Sequence, residues 1–171
     1  MTATAPQPES PAKKAKALIV DVSGVDLAAR LVGRDEIARV NPHRGHMALL
    51  DHIVWHTSDY KEGVALWQVR PDAFWVPGHF PGRPILPGVL MVEAGAQLGA
   101  WLYNSRWPVA KLAAFTHIER AAFRTQVRPG DDLFILCREV RATARRFNSE
   151  IQGIVKGKSV FEAEIAGFAL G

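Results

Sequence analysis

The segment Gly78-His79-Phe80-Pro81-Gly82-Arg83-Pro84-Ile85-Leu86-Pro87-Gly88, running directly into Val89-Leu90-Met91-Val92-Glu93-Ala94-Gly95-Ala96-Gln97, decides how the chain reads. Prolines 81, 84 and 87 stiffen its first half and rule out a regular element there. Its second half carries helix signals, with Pro87 placed for the first helical position and the pattern running to about Tyr103. This helix is apolar on every face except at Glu93 and Gln97, which predicts a buried central helix over about 87–103. Glycines 88, 95 and 99 and alanines 94, 96 and 100 strip bulk from its surface, so a sheet can pack close. The glycines lower its intrinsic propensity.

Upstream, residues 1–16 hold three prolines, small polar residues and lysines, the composition of a disordered basic tail. Residues 17–33 form an N-terminal extension to a single domain over 17–171, with a short strand expected at Ala17-Leu18-Ile19-Val20-Asp21-Val22. Asp35 to Val40 reads as a short helix with acids in its first turn, stopped before Pro42. Strand-like runs follow at 48–57 and 63–69, joined by a turn at Tyr60 to Gly63. Residues 71–87 contain five of the eleven prolines and must be an ordered loop or a very short helix.

Downstream of Pro108 the pattern is all-β. Strands are expected at 110–118, 121–128, 131–143, 147–156 and 159–169, with Pro129-Gly130 and Lys156-Gly157-Lys158 as turns. Whether the first two runs are one strand stays open. A long helix followed by antiparallel strands gives an α+β architecture with the sheet curled around that helix.

Composition narrows the classes. At 171 residues, 48% hydrophobic and 22% charged, the chain suits one globular domain. No apolar run reaches the ~18 residues of a membrane span, and no secretory h-region opens the chain, so a cytoplasmic location is expected. The single cysteine, Cys137, lies within Leu133-Phe134-Ile135-Leu136-Cys137 and reads as a core thiol. A net charge of +4 without a dense basic stripe does not point to nucleic acid, but is compatible with an acidic or phosphorylated carrier.

The chemistry sits in the opening segment. The Pro/Gly loop holds His79 in few conformations, so little entropy is lost when substrate binds. Gly88, at the helix start, offers a backbone N–H at the positive end of the helix dipole, suited to a carbonyl oxygen gaining charge. Glu93 lies one and a half turns further on, roughly 7–8 Å along the axis. Gln97 follows at i+4 and can hydrogen-bond its carboxyl. Burial is expected to raise the proton affinity of Glu93 and make it a general acid. Histidine is the natural base.

Gly-His-Phe-Pro-Gly-Arg-Pro-Ile-Leu-Pro-Gly-Val-Leu followed by Glu-Ala-x-Ala-Gln resembles the active-site signature of the FabZ-type 3-hydroxyacyl-[acyl-carrier-protein] dehydratases. Pro42-His43-Arg44, Leu49-Leu50-Asp51, Ile118-Glu119-Arg120-Ala121-Ala122-Phe123-Arg124 and Pro129-Gly130-Asp131 extend the resemblance over about 34–169. It implies a hot-dog fold, a catalytic histidine at His79, a catalytic glutamate at Glu93 and a thioester-carbonyl donor in the Gly88 N–H. The implied reaction turns a (3R)-3-hydroxyacyl thioester on acyl carrier protein into the trans-2-enoyl thioester, with no metal and no other cofactor. It also implies a homodimer, often a trimer of dimers, with His79 of one chain facing Glu93 of the other. Gly45-His46-Met47 and His52 depart from the family's common residues, which fits a specialised lipid or polyketide route as well as fatty acid synthesis.

Phe80, Leu86, Leu90 and Phe115 are candidates for an acyl tunnel, with Phe74 and Trp75 beside them. Arg83, Arg120, Arg124 and Arg128 are candidates for carrier docking. His43 reads as a turn anchor, and His52 and His56 as hydrogen-bonding residues without a third metal ligand. Two other readings stand beside the dehydratase. One is a hot-dog thioesterase using Glu93 to activate water, and the other a non-catalytic acyl-binding subunit docked through its basic tail.

Overall fold

The computed structural model describes residues 17–170, so the tail expected at 1–16 lies outside the described residues. Seven strands form one antiparallel sheet: β1 (Val32–Gly33), β2 (His52–His56), β3 (Glu62–Gln68), β4 (Leu112–Phe123), β5 (Asp132–Ala142), β6 (Arg146–Val155) and β7 (Lys158–Leu170). Their order across the sheet is β1-β2-β3-β5-β6-β7-β4, which leaves β4 as an edge. Among the described residues, two α-helices, α1 (Arg34–Val40) and α2 (Gly88–Asn104), and a 3-10 turn at Gly45–Met47 accompany it. The sheet curls around α2, the hot-dog arrangement the resemblance implied. Among the described residues, no helix is long and apolar enough to cross a membrane.

The inner face of the sheet meets α2. Met91, Val92, Ala94, Leu98, Trp101 and Leu102 of the helix pack with Ala65, Trp67, Leu133, Ile135, Cys137, Ile151, Phe161, Ala163 and Ile165 of the strands. Small residues set the approach. A Cβ on Gly95 would lie 2.4 Å from the Ile151 side chain, so only glycine fits there. Burial pushes the Cys137 thiol up to about 12, as suits a core thiol rather than a nucleophile.

Residues 17–22 do not form the expected strand. Their apolar side chains are spent on the outer face of the sheet, where Val20, 1% exposed, packs with Val54, Val64, Leu66, Leu136 and Ile154. The only regular pairing of the extension is β1 against β2. Ile19 N–H is satisfied instead by the side-chain oxygen of the fully buried Gln152, at 3.1 Å. The covering explains why β3 is apolar on both faces, with Val64 and Leu66 outward and Ala65 and Trp67 inward.

Three other expectations shift. The run at 48–57 is a strand only over His52–His56; just before it Asp51 still donates its N–H to the Leu66 carbonyl, while its carboxylate accepts from Arg34, Arg70 and the Gln68 N–H. The runs at 110–118 and 121–128 are one strand, β4, ending at Phe123, with register shifts between Phe115 and His117 and between Ile118 and Arg120. Pro87 caps α2 from outside rather than occupying its first turn. The β6–β7 hairpin forms as expected, turning through Lys156 and Gly157 at φ of 49° and 73°.

Candidate active site

Two groups of polar residues lie at the N-terminal half of α2. The first is built by the proline-rich loop. His79 N–H donates to the Trp75 carbonyl at 2.9 Å, and Ile85 N–H donates back to the His79 carbonyl at 2.8 Å. The ring completes the clasp, with Nδ1 2.7 Å from the Ile85 carbonyl oxygen. A carbonyl only accepts, so Nδ1 carries the proton and Nε2 keeps a free lone pair. Phe80 stacks on the ring at 4.2 Å.

His79 lines a cleft of about 450 Å³ together with Leu86, Gly88, Met91, Phe123 and Arg124. Its floor is the start of α2. Gly88 is the first helical residue, so its N–H belongs to the first-turn donors that have no partner within the helix. The ring of Phe123 presses so close that a Cβ on Gly88 would fall 2.8 Å from it. Of the tunnel candidates, Leu86 lines this cleft, whereas Phe80, Leu90 and Phe115 are not among its walls. Phe115 stands 41% exposed on the edge strand.

The second group surrounds Glu93, which is not part of that cleft. Gln97 donates through Nε2 to Glu93 Oε1 at 2.9 Å and to the Met47 carbonyl at 2.7 Å, while its Oε1 accepts from Leu49 N–H at 3.1 Å. These three bonds fix the amide and thereby the glutamate. The other partner is His43, with Nε2 3.3 Å from Glu93 Oε1. His43 thus does more than anchor the turn expected from the sequence. The turn is held by Arg44, which donates to the carbonyls of Ala38, Asn41 and His43 and so presents the imidazole to α2.

This arrangement reverses the expected behaviour of Glu93. The hydrogen bond from His43, and with it that from Gln97, favours the ionised carboxylate more than burial disfavours it, so its proton affinity is lowered. Glu93 is therefore a carboxylate at neutral pH. The signal for His43 was available in Pro42-His43-Arg44, which matches the family outside the main signature.

The candidate docking arginines differ in their surroundings. Arg120 is tied to Glu164 and Glu150, and Arg124 to Glu162 at the rim of the cleft. Arg128 bonds Gln126, and Arg83 is exposed in the loop. His52 is buried and His56 stacks on Tyr60 at 4.6 Å.

Comparison with known proteins shows the family. Residues 41–164 match the FabA-like domain family. The chain is 37% identical over 136 residues to a 3-hydroxyacyl-[acyl-carrier-protein] dehydratase FabZ of Desulforamulus reducens, covering 79% of this chain and 94% of that protein. It is 38% identical to the protein of that name from Geobacter metallireducens, over 77% of this chain and 89% of the other. Among solved structures, the dehydratase heterocomplex ApeI:P from Xenorhabdus doucetiae superposes with a TM-score of 0.67 at 16% identity, over 79% of this chain and 91% of that one. The signature loop, the helix that follows it and these matches together place the chain in the FabZ-type 3-hydroxyacyl-[acyl-carrier-protein] dehydratase family.

Proposed function

We propose that this protein dehydrates a (3R)-3-hydroxyacyl thioester on acyl carrier protein to the trans-2-enoyl thioester, as a cytoplasmic step of fatty acid or related lipid synthesis. One observation carries the reading. The Nδ1–H to Ile85 carbonyl bond leaves His79 Nε2 as a base, in the same cleft as the Gly88 N–H.

In this mechanism the thioester carbonyl accepts from Gly88 N–H, whose helix dipole stabilises charge that develops there. His79 Nε2 removes the C2 proton. As the C2–C3 double bond forms, the C3–O bond breaks and the departing hydroxyl takes a proton from the His79 imidazolium, leaving as water. Glu93, ionised, accepts a hydrogen bond from the 3-hydroxyl and orients it toward that proton.

The two groups belong to one reaction when two chains pair. Support comes from β4, an edge strand that exposes Phe115, Ile118 and Phe123, an arrangement monomers ordinarily avoid. Pairing there would bring His79 of one protomer to Glu93 of its partner in a homodimer.

The test follows enoyl absorbance and free thiol together after adding a 3-hydroxyacyl thioester of acyl carrier protein. Enoyl product without thiol is expected, and His79→Ala abolishes it. Thiol release without enoyl formation would instead establish a thioesterase.

A further inference from the structure

A small pocket of about 20 Å³ lies between α1, the turn that follows it and α2, lined by both side chains that hydrogen-bond Glu93, His43 and Gln97. Asn41 and His43 both line it, beside Arg34, Ala38 and Gln97. Each of the first two has a buried polar atom with no protein partner: Oδ1 of Asn41 and Nδ1 of His43. Asn41 is only 3% exposed, and its amide nitrogen is committed to the Gln97 carbonyl at 2.8 Å. Leaving either acceptor or donor unmatched costs about 1–3 kcal/mol.

We propose that this cavity holds one ordered water shared by Asn41 Oδ1 and His43 Nδ1, and that His43, so held, is a positioning residue for Glu93. The proposal rests on the reading of Glu93 as the group that orients the substrate hydroxyl. The volume suits it, since a water needs about 10–15 Å³ and two to four polar partners. The chemistry is more selective. For His43 Nε2 to donate to the carboxylate, a neutral ring must carry its proton on Nε2, which makes Nδ1 an acceptor. Asn41 Oδ1 is also an acceptor. One water brings two O–H groups and satisfies both.

Arg34 does not take that role, because its guanidinium serves Asp51 and the Ala48 carbonyl. With the water in place the Nε2–H tautomer is selected, and the proton points at Glu93. With the proton on Nδ1 instead, a lone pair would face the carboxylate and push it out of position. The water thus acts on the reacting group through His43, in the way outer residues orient metal ligands.

The test begins with the full-length protein carrying 15N-labelled histidine. The His43 ring is expected to show a protonated Nε2 and an unprotonated Nδ1 near neutral pH, and the opposite tautomer overturns the proposal. The kinetic arm uses the dehydration assay. His43→Ala is expected to lower kcat between about 10- and 100-fold with little change in KM. His43→Gln, which restores a donor, recovers most of the loss, and Asn41→Leu lowers kcat in the same direction. Glu93→Gln is the control. If it is inactive while His43→Ala turns over at the wild-type rate, the positioning role alone fails. If Glu93→Gln keeps wild-type kcat, the reading of Glu93 fails and the proposal with it.

Discussion

The ring of Phe123 on the edge strand lies against Gly88 at the start of α2, where a single added methyl group would sit 2.8 Å from the ring. The contact closes one side of the cleft that holds His79. It also explains why this helix begins with glycine although glycine is a poor helix former. A side chain at position 88 would displace either the Phe123 ring or the helix start that carries the proposed carbonyl donor, the Gly88 N–H.

Gly88→Ala is accordingly expected to lower kcat/KM about 100-fold, the scale of a 1 Å misplacement at a reacting group. Thermal stability should change little, because a flexible ring at the surface absorbs the strain. The double variant Gly88→Ala/Phe123→Ala restores part of the activity. If the double variant is no better than the single one, the ring is not what the methyl group meets.

Gly95 makes the corresponding contact inside the core. A methyl group there would lie 2.4 Å from the side chain of Ile151 in β6. Overpacking of this kind costs about 1–3 kcal/mol. That exceeds the roughly 0.5–1 kcal/mol a helix gains from alanine over glycine. Urea unfolding of Gly95→Ala should show a net loss. In a double-mutant cycle with Ile151→Ala the two losses should be less than additive, because the smaller partner makes room for the methyl.

The lowered proton affinity of Glu93 gives stability a pH signature. A carboxyl whose folded pKa lies below its unfolded value stabilises the fold fully above the unfolded value, about 4.3 for glutamate. That contribution is lost as pH falls through the lower folded value. Glu93→Gln should therefore be less stable than the wild type at neutral pH, with the gap closing as the solution is acidified past this range. A gap that stays constant from neutral to acid pH would mean that His43 and Gln97 do not favour the ionised form.

Much of this was legible in the sequence because it is local. The proline spacing of 78–88, the apolar wrap of α2 and the turns at Pro129-Gly130 and Lys156-Gly157 each announce themselves within a few residues. So did the Glu93–Gln97 bond, which follows from helical spacing. What stayed hidden is tertiary. The two register shifts in β4 broke the alternation that would have shown one continuous strand. Residues 17–22 look like a strand because they are apolar, but they are apolar in order to cover Val64 and Leu136. The protonation state of Glu93 depends on His43, brought to it by a turn far upstream, and no sequence period reports that pairing.

The extension supplies its own test. Its removal would bare Val54, Val64, Leu66, Leu136 and Ile154 together. An uncovered apolar patch of that kind is an association surface. Deleting residues 1–31 is expected to lower the melting temperature and to produce binding of a hydrophobic dye, while the family-matching region from 41 keeps its secondary structure. A truncated protein that melts with the full chain and stays dye-silent would show that the sheet does not need its cover.

The proposed division of the site between two chains makes a quantitative prediction about mixtures. His79→Ala and Glu93→Gln are each expected to be inactive alone, since every site in either homodimer lacks one group. Unfolding and refolding the two together in equal amounts redistributes the chains at random, so about half of the dimers are mixed. Each mixed dimer has one site missing both groups and one site missing neither. Activity should then return to about a quarter of the wild-type value. If both groups acted within a single chain, no mixed dimer would contain an intact site, and the refolded mixture would stay as inactive as its parents.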